Sequence, residues 1–133
     1  MEDDRQGLLE RLTALVEERA AEAGEDRRSF FEALQHLQQG QVEEASKKFR
    51  RAARRCEGPF QWMATLAQAR CEVVRGRQGV ALRLFDGVAT STEAPPSLRK
   101  MACMELADLA RDRSDQALFE RAESLLPSTY APP

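Results

Sequence analysis

Cys56, Cys71, Cys103 and the single histidine, His36, are the residues of this sequence that could hold a soft metal ion or supply a thiolate nucleophile. Either chemistry needs a constellation. A structural zinc site wants four nitrogen or sulfur ligands at close sequence spacings. A cysteine nucleophile wants a base within hydrogen-bond reach. Here there is no CxxC pair, and His36 stands between Leu34 and Leu37 on a helical pattern. An odd number of well-separated cysteines, each in a helical stretch, reads as buried reduced thiols, which places the chain in the cytoplasm. Adjacent carboxylates such as Glu17-Glu18 and Glu43-Glu44 point to different sides of a helix, so they form no acid–base pair. No phosphate-binding Gly loop, GxGxxG, HExxH or GxSxG occurs. The expectation is therefore a chain that is not an enzyme, with no cofactor and no metal.

Charge is the second chemical feature. Of 133 residues, Lys and Arg number 20 against 22 Asp and Glu, for a formal charge of −2. That field favours neither nucleic acid nor an acidic membrane. Locally the balance is uneven. Residues 1–26 hold nine acids and three arginines, a net of −6, which leaves +4 for the remainder. The densest basic run is Lys47, Lys48, Arg50, Arg51, Arg54 and Arg55. On a helix these cover every side except the stripe of Phe49, Ala52, Ala53 and Cys56. Lys47, Lys48, Arg51, Arg54 and Arg55 then form a basic face, read as a solvated surface or as a patch for an acidic partner. With no exposed aromatic interleaved for base stacking, nucleic acid is the least favoured ligand.

These groups sit on elements that punctuation delimits. The apolar residues are mainly Ala and Leu, with no Ile and no β-branched run, so the class is all-α. Gly24, Gly40, Gly58-Pro59, Gly76 with Gly79, Pro95-Pro96 and Pro127 divide the chain. A leading amphipathic helix is expected over 4–23, with Leu8, Leu12 and Leu15 on one face. Helix pairs are expected over 27–57, 60–89 and 97–126, with Ser114 capping the last helix. All lie in one domain, 1–126, and 127–133 is expected to be a flexible tail. No apolar run approaches the ~20 residues of a membrane span, and an acidic start without an apolar core predicts no signal peptide.

A repeat emerges when the chain is anchored on phenylalanine. Phe49 and Phe85 are 36 residues apart, and Phe85 and Phe119 are 34 apart. Ala52, Val88 and Ala122 stand three residues later, and the small residues Ala33, Ala69 and Cys103 stand sixteen earlier. A small residue lets two helices approach, and an aromatic fills the gap to the next pair. With Gly40, Ala45 and Pro59, then Gly76 and Ala81, then Pro127, this pattern resembles the tetratricopeptide repeat, in about three degenerate copies over residues 27–127. The first helices depart from that family: Ser29, Glu32 and His36, then Thr65, Gln68 and Glu72, stand where it carries Trp, Leu-Gly and Tyr.

The resemblance implies a right-handed solenoid of one leading helix plus three helix pairs. Its first helices would line a concave groove that presents Phe30, Leu34, Leu37, Met63, Leu66, Arg70, Val73, Lys100 and Met104. The function implied is that of a non-catalytic adaptor or scaffold, holding a peptide or helix of another protein in that groove. A dedicated secretion-type chaperone is the alternative, and a regulator touching nucleic acid through 47–55 is the third reading. The leading helix would cap the stack, lie in the groove, or pair with a second copy in a homodimer.

Overall fold

The computed structural model describes residues 7, 8, 10–12 and 14 and residues 24–130, with the side chains of 24–27 and 127–130 left aside. Among the described residues all regular structure is helical. Residues 7, 8, 10–12 and 14 belong to α1. The helices α2 (Gly24–Gln38), α3 (Val42–Arg55), α4 (Pro59–Val74), α5 (Gln78–Thr90), α6 (Pro96–Arg113) and α7 (Gln116–Tyr130) follow. From α2 onward each helix packs chiefly on its sequence neighbours, with lighter contact between α2 and α4, α4 and α6, and α5 and α7. This is the contact pattern of stacked helix pairs.

The turn inside each pair is the same. Behind Gly40, the Gln41 N–H donates to the His36 carbonyl and the Gly40 N–H to Leu37; behind Gly76, the Arg77 N–H donates to Glu72 and the Gly76 N–H to Val73. Both glycines take φ +81°, the left-handed cap that closes a helix. The third pair repeats the bonds at Ser114 and Asp115, to Arg111 and Ala110, with Ser114 at φ 52° in place of a glycine. Ser114 therefore ends α6 and does not cap α7. Asp115 does that, its Oδ1 accepting the Leu118 N–H at 3.1 Å.

Measured from these turns, the third pair is one helical turn out of the register that phenylalanine spacing implies. Phe49 and Phe85 stand nine residues past Gly40 and Gly76, whereas Phe119 stands five past Ser114, level with Ala45 and Ala81. The small residues seven before the turns are Ala33, Ala69 and Ala107, not Cys103; all three are buried. Length accounts for half of this offset, since Gly76 and Ser114 stand 38 residues apart against 36 between Gly40 and Gly76, and the shorter 34-residue phenylalanine interval supplies the rest. The linker between α5 and α6 is longer than that between α3 and α4, and α6 has 18 residues against 16 in α4. Phe49 and Phe85 are fully buried, while Phe119 is only half-buried beneath the Arg111 guanidinium, 5.8 Å from its ring centre.

Other boundaries differ from the glycine-based expectation. Gly24 opens α2 and Gly79 lies in the first turn of α5. The backbone of α7 continues through Pro127 to Tyr130, beyond the expected stop at Leu126. A proline so near the end removes one N–H from the last helical bonds and leaves the preceding turns intact. A continuous buried cluster runs from Leu8 to Ala122, and within it Phe30 meets Phe49 edge-on at 5.3 Å and 68°.

Candidate functional site

The groove residues are mostly covered. Phe30, Leu34, Met63, Leu66, Arg70 and Val73 are buried, Leu37 and Lys100 are half-buried, and only Met104, at 44%, is exposed. Val74 is the other large apolar side chain left in solvent. An open apolar floor is thus not what these helices present. The start of the chain is itself packed down. Leu8 and Leu12, four residues apart on one face of α1, are fully buried. Gly7 and Arg11 form one wall of a concavity of about 350 Å³ whose other walls include Met104 and Glu105 of α6 and Phe119 and Leu126 of α7. The leading helix therefore docks on its own chain, and two of its three stripe leucines are unavailable as a dimer seam; Leu15 lies outside the described residues.

Beneath this region lies a polar pair that sequence reasoning missed. Arg70 on α4 donates from Nη1 to Glu105 Oε1 on α6 at 2.9 Å, with both side chains buried. Burial pushes the Glu105 carboxyl above the usual range, against the opposing pull of Arg70 and, more weakly, of Arg11. Arg70, expected to be presented by the groove, instead joins α4 to α6. A second buried carboxylate, Glu72, accepts the Ser46 hydroxyl of α3 at 2.6 Å and pairs with Arg75 at 3.2 Å and Arg77 at 3.8 Å. The signal was present: Arg70, Glu72 and Glu105 are charges embedded in apolar helical runs, and such charges are buried only when paired.

The basic face is where the sequence places it. Lys47, Arg51, Arg54 and Arg55 are exposed, joined by Arg50; Lys48 is half-buried. Among the described residues of α3 its carboxylates pair with its lysines only once. Glu44 reaches Lys47 at 3.9 Å, but Lys48 turns to Glu32 of α2 at 3.6 Å, and Glu43 reaches Arg75 beyond α4 at 3.8 Å. These bridges are exposed on at least one partner and stabilise weakly.

The thiols are sealed. Cys56, Cys71 and Cys103 are all buried, and burial pushes Cys71 up to about 12. Since the thiolate is the reactive form, a thiol-specific chromogenic reagent at pH 8 is expected to leave the native protein unmodified and to titrate all three cysteines in denaturant; rapid native reaction of Cys71 would contradict this packing. His36 Nδ1 bonds the Gln41 side chain at the α2–α3 turn. Among the described residues no cluster of His, Cys, Asp and Glu could hold a metal ion, and no helix is long and apolar enough to cross a membrane.

The class these features define is an all-helical stack of consecutive pairs with a self-docked leading helix and one arginine-rich flank. No protein-family model, no curated protein and no solved structure matches the chain.

Proposed function

We propose that this chain is a non-catalytic protein-interaction module, a right-handed tetratricopeptide-like stack that takes an amphipathic helix of a partner protein on the face now held by α1. The observation that carries this reading is the docking of α1 itself. Its paired leucines are buried and its Arg11 flanks a concavity of about 350 Å³ lined by α6 and α7. That surface accommodates an apolar i, i+4 stripe with a cation beside it, the signature of helix-in-groove recognition. Exposed Met104 at its edge is an adaptable apolar foothold for an incoming side chain.

The test is replacement in trans. In the full chain, L8D/L12D should release α1 and lower stability by about 3–6 kcal/mol, because two fully buried leucines are lost while α2 to α7 retain their own contacts. A synthetic peptide of residues 4–23 should then bind the variant saturably, raise its thermal midpoint, and bind the parent weakly. A variant that loses stability but takes up no peptide would sink the reading, since the surface would be a fixed intramolecular interface.

A further inference from the structure

The arginine flank of α3 lies apart from the α1 docking surface and has chemistry of its own. Lys47, Arg50, Arg51, Arg54 and Arg55 together line a concavity of about 370 Å³, and among the described residues no acid lines it. The opposite stripe of the helix, Ala45, Ser46, Phe49 and Ala52, is buried, so the cations stand on the outer side. Their spacing sets two rows, Lys47–Arg51–Arg55 and Arg50–Arg54, each at the four-residue interval that brings side chains together along a helix. The longer row spans about 12 Å at 1.5 Å per residue.

Several other arginines in this protein have carboxylates. Arg70 has Glu105, Arg75 has Glu72 and Glu43, Arg111 has Asp108, and Arg121 has Asp86. Among the described residues Arg50, Arg51, Arg54 and Arg55 have none within ion-pair distance, because Glu32, Glu43 and Glu44 are directed to Lys48, Arg75 and Lys47. Like charges at four-residue spacing repel, and an external polyanion relieves that repulsion. The face is mainly guanidinium, whose planar fork matches a carboxylate with two parallel hydrogen bonds, where an ammonium offers a point charge.

We propose that this face binds an acidic segment of a partner protein, its carboxylates paired in turn with Arg50, Arg51, Arg54 and Arg55. A polynucleotide fits less well. Among the described residues no aromatic lines the concavity to stack a base, and a chain of net charge −2 opposes a long polyanion beyond the patch. A short acidic segment meets the five cations and little else.

The experiment is fluorescence anisotropy on the full chain with a fluorescein-labelled peptide of repeating Glu-Asp-Glu-Leu. Parallel titrations use a labelled single-stranded oligonucleotide of similar charge and vesicles containing phosphatidylserine. Saturable peptide binding is expected, weakening as salt screens the pairing and falling at least about tenfold in R51E/R54E. The exposed sites leave folding intact, which an unchanged circular-dichroism melt verifies. The conservative R51K/R54K should keep part of the affinity, since charge remains while the fork is lost. Three results would overturn the proposal: no saturable peptide binding by the parent, equal binding by R51E/R54E, or oligonucleotide or vesicle binding that exceeds peptide binding and is abolished by R51E/R54E. Because L8 and L12 are untouched, failure here leaves the α1-surface reading standing.

Discussion

Replacing Phe49 with alanine is expected to lower the unfolding free energy by about 3–5 kcal/mol, read from urea denaturation with an unchanged slope. The ring is fully buried, meets Phe30 edge-on, and shares its helix stripe with Ala45 and Ala52. Alanines cannot swing in to fill the volume, and the close-packed helices around it relax only in part. The same change at Phe119 should cost much less, about 1–2 kcal/mol, because that ring is half-buried and already open on one side. The contrast tests the register directly. Equal losses at Phe49 and Phe119 would mean that the two occupy equivalent places after all, and that the four-residue offset measured from Ser114 is wrong.

The second large effect belongs to the Arg70–Glu105 pair. Removing one partner of a buried ion pair strands the other charge and typically costs about 3–5 kcal/mol, whereas replacing both with apolar residues is often neutral or stabilising. R70L should therefore be severely destabilised at neutral pH, and R70L/E105L should recover most of the loss. The pH dependence has a defined sign. Glu105 is raised by burial in the folded protein, so the folded state holds its proton more tightly than the unfolded chain. Its contribution is fully present below the ordinary Glu range and is lost as pH rises through the raised value. E105Q should remove that slope. The R70L loss should also shrink at acid pH, where a neutral Glu105 no longer needs its cation. A double variant no more stable than R70L would show that the two residues are not coupled.

Much of the helix layout was legible because its punctuation has a direct stereochemical cause. Gly40 and Gly76 supply the left-handed cap, and Pro59 and Pro96 stand where a helix can begin without an N–H. The same logic fails where composition and conformation part company. Gly24 and Gly79 lie in first turns, where glycine is tolerated, and Ser114 takes a left-handed conformation that serine seldom signals. The slip of the third pair was hidden because phenylalanine recurs at nearly even spacing while the α5–α6 linker adds residues.

For the groove, periodicity located the apolar faces but could not say what lies over them. Met63 and Leu66 read alike as core or as binding floor. Their burial depends on packing between helices. The Arg70–Glu105 pair stayed hidden for the same reason: nothing local to Arg70 points to a partner on α6.

That end-to-end docking also orders events in time. During synthesis α1 leaves the ribosome before the α6 and α7 residues that share its concavity with Gly7 and Arg11. The helix pairs close by contacts between neighbours and can form in sequence as each emerges. α1 cannot complete its contact with α6 and α7 until those helices are out, so Leu8 and Leu12 stay incompletely covered while α2 to α5 are made. The leucine stripe is then a natural handle for holdase capture, and its burial marks the moment the newly made chain no longer needs an escort.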